Sequence, residues 1–86
     1  MMNTFNLVIS SPDGEIFSGE AVKIMLRGAS GDLAVMAGHI PFVTSVKEGE
    51  CRVTFSNEEK TAKIGGGMLS VTKEKVTLLS GTFKWN

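Results

Sequence analysis

The chain has 86 residues, enough for one small domain, and its 42% apolar and 21% charged residues are the composition of a folded chain rather than a disordered one. Nine Lys plus Arg balance nine Asp plus Glu, so no net field gathers nucleic acid or anionic lipid, and recognition must come from shape and local contacts. One cysteine and one histidine exclude an intramolecular disulfide and a Cys/His zinc site, and no apolar run approaches the roughly 20 residues that span a bilayer. The first residues carry no basic segment leading into an apolar one, so the reading is a soluble, cytosolic chain. Held by apolar burial alone, a domain this small is marginal, and a stabilising partner is expected.

In chain order, Phe5, Leu7 and Ile9 alternate with polar Asn6 and Ser10, the two-residue period of a half-buried strand. Ser11-Pro12-Asp13-Gly14 places proline and glycine where a type I turn uses them, so the chain reverses there. Residues 16–26 are long for one strand. Gly19 in their middle predicts a bulge or bend that hands the chain between sheets, with Val22, Ile24 and Leu26 on one face beyond it. A loop around Gly28 and Gly31 leads to a strand with Leu33 and Val35 on one face, and Ala37-Gly38-His39-Ile40-Pro41 is a second loop. Residues 42–46 resume the strand pattern, Lys47-Glu48-Gly49 breaks it, and Cys51, Val53 and Phe55 then alternate cleanly with Glu50, Arg52 and Thr54. After a polar tip at 56–59, Ala62 and Ile64 point inward, and Gly65-Gly66-Gly67 interrupts. Residues 68–72 and 76–80 form a last pair of strands, leaving Phe83-Lys84-Trp85-Asn86 as a tail. No window of ten residues shows helical spacing. Eight or so short strands with turns at intervals of roughly 8 to 12 residues predict an all-β sandwich or barrel.

Few residues point to chemistry. The glycine triplet lacks the following helix and Lys-Ser/Thr of a phosphate loop and reads as a structural turn or bulge. His39 has no nucleophile or carboxylate motif around it, which leaves a loop-capping role or a partner contact. Cys51 faces inward as a small hydrophobe, and Met25, Met36 and Met68 read as core fillers. Asp13, Glu15 and Glu20 lack the spacing of a metal loop. Trp85 either folds back on a sheet edge or stands exposed as a contact. No catalytic, cofactor or metal site is predicted.

Three stretches carry a resemblance to one family. Ser11-Pro12-Asp13-Gly14-Glu15-Ile16-Phe17-Ser18-Gly19-Glu20, Gly31-Asp32-Leu33-Ala34-Val35-Met36-Ala37-Gly38-His39-Ile40-Pro41-Phe42-Val43-Thr44, and Gly66-Gly67-Met68-Leu69-Ser70-Val71 followed by Val76-Thr77-Leu78-Leu79 together resemble the N-terminal β-sandwich of the epsilon subunit of F-type ATP synthase. The resemblance covers about residues 5–80. It implies a single domain over 1–86, a flattened and mostly antiparallel sandwich of about ten short strands. It also implies a non-catalytic central-stalk subunit that joins the gamma subunit to the c ring and couples proton-driven rotation to ATP synthesis. Positions matching Ser11, His39 and Thr44 would lie toward gamma, and Asp32 near the polar loops of the c ring. The place would be the cytoplasmic face of the bacterial inner membrane, in a peripheral complex without direct membrane insertion, cofactor or nucleic acid. Ala37 stands where the family commonly has proline, and Ser80-Gly81 replaces its usual small-acid pair. The family's C-terminal helical hairpin, which restrains ATP hydrolysis, has no counterpart here, so a form without that arm is expected. The alternative is a free-standing β-sandwich module for a peptide or small ligand.

Overall fold

A computed structural model describes residues 3–38 and 40–86. Among them are eight strands and no helix: β1 (Phe5–Ser11), β2 (Gly14–Ala21), β3 (Lys23–Gly28), β4 (Gly31–Met36), β5 (Phe42–Thr54), β6 (Glu59–Val71), β7 (Lys75–Ser80) and β8 (Phe83–Trp85). They join in one sheet in the order β2-β1-β7-β6-β5-β3-β4, with β8 added to β6, and every pairing is antiparallel except β1 with β7. The fold class agrees with the sequence reading. Eight strands stand where the resemblance implied about ten.

The sheet becomes a sandwich because β5 and β6, 13 residues each, belong to both layers. Their paired ends at Phe42↔Val71 and Val46↔Gly67 lie with β7, β1 and β2. Their other ends, from Gly49↔Ile64 to Thr54↔Glu59, lie with β3, β4 and β8. Between them the ladder skips Lys47 and Gly66. The sequence reading broke both strands at these places. Instead they run through and fold over, which brings Leu7, Ile9, Leu69 and Leu78 of one layer against Ile24, Val35 and Val53 of the other, all fully buried. Truncating Ile24 to alanine is expected to lower stability by about 3 kcal/mol and Val53 by about 2, measured by urea unfolding.

The fold-over depends on the absence of side chains. Gly66 has φ +91°, and a Cβ there would stand 3.2 Å from the Val46 carbonyl oxygen. A Cβ on Gly67 would overlap the Leu79 carbonyl, and one on Gly65 the Thr82 hydroxyl. The neighbouring turn pins the bend: Gly81 N–H donates to Gly66 O at 2.9 Å and Gly65 N–H to Thr82 O at 3.0 Å. The buried Ser80 hydroxyl lies 2.5 Å from Thr82 O and 3.3 Å from Gly66 O, so the one buried polar side chain among the described residues is satisfied within the bend.

Two further expectations change. The chain passes from one layer to the other at Val22, between β2 and β3, not at Gly19. Gly19 lies under its neighbour's ring, where a Cβ would meet Phe17 Cζ at 3.0 Å. The tail is a strand: Phe83 and Trp85 pair with Ile64 and Ala62, and Asn86 holds Thr61 through backbone and side chain at 3.0 and 2.8 Å. Trp85 meets Phe17 edge-on at 6.1 Å and Phe83 at 4.9 Å, with Phe55 beside Phe17 at 5.5 Å. These rings close the side of the sandwich between β2 and β8, which settles Trp85 as a sheet-edge residue.

Cys51 is fully buried, and burial, with a smaller push from the Glu50 carboxylate, raises its thiol pKa from 9.0 to about 12. The thiolate is therefore the form the fold disfavours. Above about pH 9 an unfolded chain releases this proton while the folded chain keeps it, so this group's contribution to stability declines as pH rises from there toward 12. Labelling by a thiol reagent at pH 8 is expected to be about 100-fold slower in the native chain than in denaturant. Rapid native labelling would contradict this burial.

Candidate docking surface

The two outer faces of the sandwich differ in charge. On the β3-β4 layer, Arg27 pairs with Asp32 at 3.3 Å, and Arg52 reaches Glu50 at 3.6 Å and Glu59 at 3.7 Å. Glu50 and Lys63 lie opposite each other, as do Lys63 and Lys84. These charges are largely exposed and contribute little to stability. Their consequence is a hydrated surface.

The outer face of the other layer is nearly without charge. Alternation along β1, β5, β6 and β7 turns Leu7, Ile9, Val46, Leu69, Val71, Val76 and Leu78 inward and leaves the residues between them outside. Cross-strand register then places Ser18, Val8, Thr77, Ser70 and Val43 in one row. The next row is Glu15, Ser10, Leu79, Met68 and Ser45. Val43 is 61% exposed, Leu79 50% and Met68 47%. Among the described residues of these strands, charge lies around the apolar residues, at Glu15, Glu20, Lys47 and Lys75. An apolar centre ringed by hydroxyls, with charges at the rim, is the anatomy of a protein-binding face.

Of the residues singled out in the sequence, Ser11 ends β1 half-buried, its hydroxyl accepting from Asp13 N–H at 3.2 Å within the turn. Thr44 is half-buried on the inward side of β5, level with Leu69, and its hydroxyl donates to Ser45 O at 3.3 Å. Both belong to the uncharged layer but on strands three spacings apart, roughly 14 Å. Asp32 is on the charged layer beside the β3–β4 turn. His39 lies outside the described residues. The three that are described are thus not one cluster. The methionine expectation is corrected as well: Met68 and Met36, 47% and 48% exposed, are surface residues on opposite faces, because both take outward positions of the alternation.

A protein-family profile described as "ATP synthase, Delta/Epsilon chain, beta-sandwich domain" matches residues 4–86. The chain belongs to that family. The ATP synthase epsilon chain of Bacillus pumilus (strain SAFR-032) is 33% identical over 79 residues, covering 92% of this chain and 60% of the relative. ATP synthase epsilon chain 1 of Methylococcus capsulatus is 40% identical over 83 residues, covering 95% and 59%. This delta/epsilon-type sandwich therefore spans about 60% of the length of such relatives. Its fold matches a chain of the Euglena gracilis mitochondrial ATP synthase OSCP/F1/c-ring structure, with TM-score 0.90 and 20% identity over 99% of this chain and 56% of that one. A chain from the central stalk and c-ring of the Tetrahymena thermophila mitochondrial ATP synthase matches with TM-score 0.80 and 10% identity, over 95% and 66%.

Proposed function

We propose that residues 1–86 form one epsilon-type domain of the ATP synthase central stalk. It holds the gamma subunit to the polar loops of the c ring, so that proton-driven rotation reaches the sites of ATP synthesis, and performs no catalysis itself. The observation that carries this reading is the contrast between the two outer faces in a member of this family. An uncharged face suits lasting contact with gamma, since no ion must lose its water there. Asp32, exposed beside the β3–β4 turn, is available to the c-ring loops, while Ser11, His39 and Thr44 are the gamma-side positions. The complex sits at the cytoplasmic face of a bacterial inner membrane.

Rigid strands suit a mechanical link, because a bend pinned at Ser80 and a side closed by four aromatic rings transmit force without slack. Mixing the chain with its cognate gamma subunit at about 1 µM should give a stable 1:1 species by size exclusion, as an interface of standard size survives that dilution. Separate elution would overturn the proposal.

A further inference from the structure

We propose that the open edge of β5 over residues 42–45 receives an extended, uncharged segment of gamma as an added strand, extending the sheet next to the uncharged face. This rests on the stalk reading above. On one side these residues pair with β6 without a break, from Phe42↔Val71 to Val46↔Gly67. On the other side β3 ends at Gly28, opposite Val46, and among the described residues no strand pairs with β5 beyond it. In an antiparallel ladder alternate residues direct N–H and C=O to opposite sides, so part of this backbone faces outward without a strand.

Sheet edges invite pairing, and proteins ordinarily guard them with charge, bulges, brevity or cover. The other edges are guarded in these ways. β2 carries Glu15, Glu20 and a register shift opposite Ser10. β8 has three residues with Lys84 at its centre. β4 carries ion-paired Asp32 as its second residue, and Leu33, Ala34 and Val35 after it are half-buried or buried. Residues 42–45 are Phe, Val, Thr and Ser, with no charge, glycine or bulge, and Val43 and Ser45 are exposed.

Interface size points the same way. The two rows span five strands, with Glu15 as their one charge at the β2 end, roughly 20 by 14 Å and on the order of 300 Å² of flat area. A standard interface takes about 800 Å² from each partner. The face alone falls short, and the edge adjoins it at Val43 and Ser45. An uncharged segment is the match because a charge laid along this edge would lose water with no opposite charge to meet.

The test is amide hydrogen exchange of the chain alone and in complex with cognate gamma. The outward amides of 42–45 should exchange rapidly in the free chain and slow by about 100-fold or more in the complex. A complex in which these amides exchange as before, or in which β2 amides are protected instead, overturns the added strand and leaves the stalk reading standing. Failure to form a complex overturns both. Proline on an open edge removes an N–H without touching the partner ladder. Whichever of Val43→Pro and Thr44→Pro keeps the wild-type melting temperature should therefore lose at least about tenfold in affinity for gamma. Unchanged affinity in that folded variant contradicts the proposal.

Discussion

Replacing Gly67 by alanine is expected to cost about 4 kcal/mol, a large part of the roughly 4 to 13 kcal/mol that holds a chain of this length together. The added methyl would overlap the Leu79 carbonyl of the adjacent strand, and neither backbone can give way without breaking the pairing of Gly67 with Ser80 and Val46. Gly14 supplies the control. Its φ is +130°, but nothing lies within 4 Å of its would-be Cβ, so Gly14→Ala carries only the backbone strain of about 1 kcal/mol. Urea unfolding of both variants separates the two causes. A Gly67→Ala loss no larger than that of Gly14→Ala would mean that the fold-over of β5 and β6 does not depend on close approach.

A second large effect is expected on the uncharged face. Met68→Lys combined with Leu79→Glu places two charges at neighbouring outward positions, where each would have to shed water under a docked partner. Affinity for gamma should fall by at least about 100-fold, since even a Lys and a Glu that face each other across the ladder do not recover the cost of losing their water at the centre of an interface. The melting temperature should stay close to wild type, because both side chains are about half exposed and outside the core cluster. The matched change on the other face, Lys63→Glu with Lys84→Glu, should leave gamma affinity within about twofold. Equal loss from both pairs would remove the distinction between the faces.

The inward pattern was readable from alternation alone: Leu7, Ile9, Ile24, Val35, Cys51, Val53, Ala62 and Ile64 are buried as their two-residue period requires. Continuity through the bend was not. Glycine has no side chain to show which face it is on, so Gly65-Gly66-Gly67 reads as a gap although β6 passes through it. The tail was obscure for another reason, since three residues are too few for a period and Trp85 joins Phe17 and Phe55 only in three dimensions. The uncharged face did leave a trace, because Phe42-Val43 and Leu78-Leu79 set an apolar residue on the outward position beside an inward one. Ser11, Asp32, His39 and Thr44 came from the family resemblance, not from chemistry visible in the residues.

The central claim is that the outer face of the β1-β7 layer is covered by gamma while the outer face of the β3-β4 layer is not. Met68 and Met36 test it within one sample, because they are 47% and 48% exposed and lie on the two opposite faces. Peroxide converts exposed methionine to its sulfoxide, and mass spectrometry reads each site separately. With gamma bound, oxidation of Met68 should slow by about tenfold or more while Met36 keeps its rate. Met68 oxidised at its free rate in a demonstrated complex, with Met36 protected instead, would contradict the account.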